Sequence, residues 1–99
     1  MPLTREELHT ETIHAIALVL ELETERVRPT DRIREDLGMD SLGSLELLSV
    51  LSDELRIDLE IDEAMGIVTV ADACAFVERS YARQQGTPRP DPRPRAAHG

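Results

Sequence analysis

The sequence predicts an all-α fold, a small bundle of three main helices plus one short helix with a long first loop. Three observations carry this. Apolar residues recur at helical spacing in three separate stretches, no run alternates convincingly at the period of two that a strand requires, and Thr, Ser and Asp residues stand where helix starts need caps. With 99 residues the chain has room for one domain, whose core is marginal but workable without a metal or a disulfide.

The first helix starts at Thr4, whose hydroxyl can cap it while Glu7, three residues on, reaches back in a capping box. It is expected to run to about Leu22, with Leu8, Ile13, Ile16 and Leu20 in the core. A long polar connection, ETERVRPTDRIREDLG, follows, with Pro29 in its middle and two isolated apolar residues, Val27 and Ile33, expected to pin it to the core. Loops of this length inside a compact domain are uncommon and often functional.

The second helix is expected from Ser41 to about Arg56. At about 100° per residue, Leu47, Leu48, Leu51 and Leu55 fall on one buried side, while Leu45 lies about 200° from Leu47, on the side shared by Leu42. A short third helix fits Asp62 to Met65, with Gly66 as its C-terminal cap. The fourth has Thr69 as its cap and Asp72 three residues later, then Ala73, Phe76 and Val77 facing inward, and ends near Arg83. Residues 1–84 therefore read as the folded domain. Residues 85–99, with four prolines and no large apolar side chain, read as a disordered Pro/Arg-rich tail.

Charge excludes some partners and favours others. Twenty acidic side chains stand against eleven basic ones, a net charge of −9. The tail carries three arginines and one aspartate, so residues 1–84 hold the excess of carboxylates. Residues 36–63 alone hold nine carboxylates and one arginine, Arg56. A negatively charged folded face repels nucleic acid and speeds encounter with a basic partner. A lone cysteine, Cys74, cannot make an internal disulfide, and no apolar run approaches the ~20 residues of a membrane span. The expectation is a soluble, cytoplasmic monomer. Calcium-loop spacing fails, because a loop begun at Asp58 puts Glu63 where the turn needs glycine and Thr69 where a bidentate glutamate belongs, so no metal site is expected. Cys74 reads as a small core residue and His14 as a helix-surface residue.

Ser41, in DLGMDSLGSLELL (residues 36–48), is the one residue whose setting suggests chemistry. It could be a nucleophile, a helix cap, or a handle to which another protein attaches something. The strained elbow of a serine hydrolase needs G-x-S-x-G after a strand; here the pattern is Gly38-x-x-Ser41-x-Gly43 before a helix. No general base can be named, since His9, His14 and His98 are remote in sequence. As a cap, Ser41 is well placed, and it is expected to cap the second helix.

The motif and its surroundings resemble the acyl carrier protein family over about residues 4–82. The Asp40-Ser41-Leu42 tripeptide looks like the centre of that family's 4′-phosphopantetheine attachment site. ETERVRPTDRIREDLG is similar to its long first loop, and DELRIDLEIDEAMGIVTVADACAFV to the segment through its third and fourth helices. The resemblance implies a non-catalytic carrier. A phosphopantetheinyl transferase would modify Ser41, flanked by Asp40, using coenzyme A, and the arm's thiol would hold acyl groups as thioesters. Cys74 is not that thiol.

It also implies docking of ketosynthase, acyltransferase or other acyl-processing enzymes through basic surfaces. On this chain Leu42 and Leu45 would supply the apolar contact, and Glu46, Asp53, Glu54 and Asp36 the charge. Leu47, Leu51, Leu55, Ile67, Val70 and Phe76 form the core that could part to shelter an acyl chain. Fatty acid or polyketide-type synthesis is the leading expectation. A freestanding peptidyl or aminoacyl carrier of nonribosomal synthesis and an unloaded helical adaptor are the alternatives. Gly43 departs from the pattern, since many fatty-acid carriers have an acidic residue just after the tripeptide. That departure points to a dedicated pathway rather than routine primary fatty acid synthesis.

Overall fold

The computed structural model describes residues 3–85. The chain folds into α1 (Arg5–Leu20), α2 (Ser41–Leu55), a four-residue α3 (Ile61–Ala64) and α4 (Val70–Gln85), with a single 3-10 turn at Thr24–Arg26. α1 packs against both α2 and α4, and α3 rests on α4. Among the described residues there is no strand, only an isolated bridge between Arg32 and Thr69. The Pro/Arg-rich tail beyond Gln85 lies outside the described residues.

The capping box ahead of α1 forms as the spacing predicts. The Glu7 N–H donates to Thr4 Oγ1 at 3.1 Å and the Thr4 N–H donates to Glu7 Oε1 at 2.9 Å. Leu8 and Ile16 are buried, but Ile13 and Leu20 are only half-buried; the tightly packed face also uses Thr12, Ala15 and Ala17. The Thr12 hydroxyl is tolerated there because it donates to the Leu8 carbonyl at 2.7 Å.

The helix stops at Leu20, two residues short of the expected end. Glu21 turns left-handed at φ 58°, its N–H donating to the Leu18 carbonyl at 3.2 Å while the Leu22 N–H donates to the Ala17 carbonyl at 2.9 Å. α2 ends similarly, at Leu55 rather than Arg56, because Arg56 is left-handed at φ 57°.

Leu47, Leu51 and Leu55 are the buried stripe of α2, with Leu48 half-buried. α3 occupies Ile61–Ala64 and ends in a right-handed Met65, so Gly66 does not serve as the left-handed cap that the sequence suggests. α4 opens on a reciprocal cap: the Asp72 N–H donates to Thr69 Oγ1 at 3.1 Å, and Asp72 Oδ2 accepts from the N–H groups of Thr69 and Val68, each at 3.1 Å. The backbone bonds from Thr69 and then Val68 hold the Asp72 carboxyl below its ordinary 3.8. The cap therefore contributes fully above the ordinary carboxylate range and is lost as pH falls through that depressed value.

α4 also runs past Arg83 to Gln85. Its last turn is tied to the end of α2: the Asp58 N–H donates to Gln84 Oε1 at 2.7 Å, Gln84 Nε2 donates back to the Asp58 carbonyl at 2.7 Å, and Gln85 Nε2 donates to the Arg56 carbonyl at 3.0 Å. The same half of α4 is tied to the start of α1: the Leu3 N–H donates to the Tyr81 hydroxyl at 2.8 Å, and Glu78 pairs with Arg5 at 2.7 Å and His9 at 3.2 Å.

Two substitutions test this packing by urea unfolding. Leu51→Ala should cost about 2–5 kcal/mol through the cavity it leaves. Glu21→Gly should stabilise by up to about 1 kcal/mol, because the exposed glutamate occupies a left-handed conformation that glycine adopts without penalty.

Candidate functional site

The loop between α1 and α2 is stitched to the start of α4, and that attachment aims the first turn of α2. The Val70 N–H donates to the Asp31 carbonyl at 2.9 Å, the Ile33 N–H to the Val68 carbonyl at 2.8 Å, and the Ala71 N–H to the Pro29 carbonyl at 3.0 Å. Val27 and Ile33 are buried, as the sequence predicts. Asp31 is buried too, and is satisfied by the Arg28 N–H at 2.9 Å and the Arg28 guanidinium at 3.4 Å. Gly38, at φ 79°, makes the left-handed turn after which the Met39 N–H donates to the Ile33 carbonyl at 3.1 Å.

Delivered this way, Asp40 becomes the N-cap of α2. Its backbone is extended, its Oδ1 accepts the Gly43 N–H at 2.7 Å, and its carbonyl accepts the Ser44 N–H at 2.9 Å and the Ser44 hydroxyl at 3.1 Å. The expectation that Ser41 caps the helix is thereby corrected. The carboxylate one residue earlier reaches the free N–H groups, and Ser41 is the first residue inside the helix. Ser41 is exposed, and its hydroxyl has no hydrogen-bond partner among the described residues.

Beside Ser41 lies a mostly apolar cleft of about 590 Å³, walled by Ile33, Met39, Leu47, Leu48, Ile67 and Val68, with Ile61 and Met65 from the α3 segment. Of the residues the sequence assigned to an acyl cavity, Leu47 and Ile67 line this cleft. Leu51, Leu55, Val70 and Phe76 are buried in the core and do not line it. Met39, 3% exposed, is the wall residue that sequence reasoning missed. It sits in a loop, where periodicity carries no signal.

The outward face of α2 matches the sequence reading. Leu42 and Leu45 are 72% and 47% exposed, and Glu46, Asp53 and Glu54 are exposed on the same helix. The cleft carries this apolar surface on to Ile61, Met65 and Val68, all exposed. Glu54 lies beside Glu11 of α1. Partial burial, and then that contact with Glu54, raise the Glu11 carboxyl above its ordinary value. Asp36 is exposed, but its Oδ2 accepts the Arg32 N–H at 2.8 Å, which lowers its pKa.

Among the described residues no histidine is hydrogen-bonded to Ser41. His9 is paired with Glu78 and His14 is exposed on α1, while His98 lies outside the described residues. Nor is any group of three or more His, Cys, Asp or Glu side chains there arranged to hold a metal ion. Among the described residues no helix is long and apolar enough to cross a membrane. Cys74 is buried, and burial first, then the charge of Glu78, push its thiol up to about 11.

Comparison with known proteins agrees with the motif. Residues 12–77 match the family described as "Phosphopantetheine attachment site". The chain is 32% identical over 76 residues to an acyl carrier protein of Prochlorococcus marinus, covering 77% of this chain and 95% of that one. It is 30% identical over 69 residues to acyl carrier protein 3 of Ralstonia nicotianae, covering 70% and 79%. These matches imply a covalently attached 4′-phosphopantetheine. The surroundings of Ser41 fit such a group. Its hydroxyl is exposed and idle, and a phosphodiester there would lie at a helix N-terminus, where the macrodipole and the N–H groups of the first turn favour negative charge.

Two measurements check the site in the unloaded protein. Asp40→Ala should destabilise by about 1 kcal/mol, whereas Ser41→Ala should change stability by less than about 0.5 kcal/mol, since only the first removes a cap. A thiol reagent at pH 8 should leave Cys74 unmodified in the folded unloaded protein and react with it once urea is added.

Proposed function

Because the chain belongs to the acyl carrier protein family, we propose that it holds acyl intermediates as thioesters on a 4′-phosphopantetheine arm attached to Ser41, in fatty acid or polyketide-type synthesis. The observation that carries this reading is the division of labour at the start of α2. Asp40 takes the capping bond, and Ser41 presents an exposed hydroxyl with no partner of its own. A hydroxyl so placed suits modification by a second enzyme better than self-activated catalysis, because no side chain is hydrogen-bonded to it as a base. The protein is then a non-catalytic subunit: a phosphopantetheinyl transferase supplies the base and the Mg²⁺, the Ser41 oxygen bonds to the phosphorus of coenzyme A, and 3′,5′-ADP leaves.

When bound, the arm supplies a terminal thiol that carries the acyl group. The chain's own residues do the rest. Leu42 and Leu45, with Ile61, Met65 and Val68 beyond them, offer an exposed apolar surface around Ser41 to ketosynthases, acyltransferases or related enzymes. Glu46, Asp53, Glu54 and Asp36 add negative charge that steers basic docking surfaces. Small, polar-rimmed contacts of this kind suit weak, fast and repeated encounters in the cytoplasm. Residues 1–84 act as the carrier domain, and the Pro/Arg-rich tail plays no part in this account.

Incubating the unloaded protein with coenzyme A, Mg²⁺ and a broad-specificity phosphopantetheinyl transferase tests the reading by intact mass. The expected result is a mass increase of one phosphopantetheine, absent in Ser41→Ala. No increase in the wild type, or one that persists in Ser41→Ala, would contradict it.

A further inference from the structure

We propose that Gly43 is a positioning residue for the cleft beside Ser41: the absence of a side chain at 43 makes room for Met39, and the 39/43 pair sets the length of acyl chain the cleft shelters. This rests on the carrier reading above. Backbone conformation does not call for glycine at 43, because Gly43 lies within the helix and, among the described residues, Gly38 is the glycine with positive φ. Helix propensity argues against glycine there. The reason is steric. A Cβ at 43 would stand 3.1 Å from Met39 Cγ, 3.2 Å from Asp40 Oδ1 and 3.7 Å from Val19 Cγ1 of α1.

Of the first two neighbours, only the Met39 side chain is free to give. Asp40 Oδ1 is committed to the Gly43 N–H at 2.7 Å, and the Met39 backbone is anchored to the Ile33 carbonyl at 3.1 Å. What can yield is the Met39 side chain, an unbranched thioether with three rotatable bonds. Met39 is buried and forms part of the cleft wall together with Leu47, Leu48 and Ile67. A methyl group at 43 requires the Met39 side chain to shift by a few tenths of an ångström, and since Met39 lines the cleft, a shift into it takes space from the acyl chain. The departure of Gly43 from an acidic residue then has a packing cause in addition to the missing docking charge.

The test uses the full-length protein loaded through its arm with straight-chain acyl groups from acetyl to dodecanoyl, with thioester cleavage by hydroxylamine as the readout. In the wild type, cleavage should slow as the chain lengthens. Gly43→Ala should speed cleavage of the longer thioesters several-fold and leave acetyl unchanged. Met39→Ala in the Gly43→Ala background should restore protection, and Met39→Ala alone should extend it to longer chains. Methyl-labelled methionine gives an independent signature: in Gly43→Ala the Met39 resonance should move while that of Met65, 79% exposed, stays in place. A loaded protein whose chain-length profile and Met39 resonance are indifferent to Gly43→Ala, or a failure of Met39→Ala to restore protection, would overturn this proposal alone. Failure of the wild type to load would overturn the carrier reading and this proposal with it.

Discussion

The hydrogen bond from the Gly43 N–H to Asp40 Oδ1, at 2.7 Å, decides what Ser41 is free to do. A helix start leaves backbone N–H groups without partners, and serine is among the residues that best satisfy them. Had Ser41 served as the cap, its oxygen would be engaged and half turned into the helix. With the carboxylate one residue earlier in that role, Ser41 enters the helix with its hydroxyl exposed. The bond forms because the preceding loop arrives in a fixed place. Three backbone hydrogen bonds fasten residues 29–33 to residues 68–71, and Ile33 and Met39 bury their side chains below. Residues far from Ser41 in the chain thus determine its exposure.

The same helix separates two tasks by face. Leu47, Leu51 and Leu55 point inward and contribute the burial that a small domain depends on, while Leu42 and Leu45 stay in solvent within reach of Ser41. Exposing large apolar side chains gains nothing for stability, which is why we assign this surface to a partner in the proposed reading. In that reading, the exposed carboxylates of the same helix favour encounter with basic partners. Cys74, buried and with its thiol pushed up to about 11, does not compete with the reactive thiol of an arm on Ser41.

Much of this was legible in the sequence where the signal is local. The Thr4/Glu7 and Thr69/Asp72 caps are set by residues three apart, and both form. The leucine stripe of α2 follows from helical period, and Val27 and Ile33 stood out as apolar residues in a polar stretch. Signals that depend on tertiary geometry were not legible. Asp40 and Ser41 are adjacent and both suited to capping, so only the direction of the loop decides between them. The ends of α1 and α2 use left-handed Glu21 and Arg56, where no glycine marks the stop, and Gly66 marks a stop it does not make. The cleft wall combines the loop, α2 and the α3 segment, so the leucine stripe alone pointed to Leu51 and Leu55, deeper in the core, and passed over Met39.

The central claim is that α2 offers one hydroxyl for modification although it contains four serines, Ser41, Ser44, Ser49 and Ser52. Ser44 is the sharpest comparison, three residues away with its hydroxyl donated to the Asp40 carbonyl at 3.1 Å. Fragment-ion mass spectrometry of the protein isolated from cells that also express a phosphopantetheinyl transferase locates the phosphodiester directly. The account predicts it on Ser41 and on no other serine; a phosphodiester on Ser44 or elsewhere in the helix would contradict it.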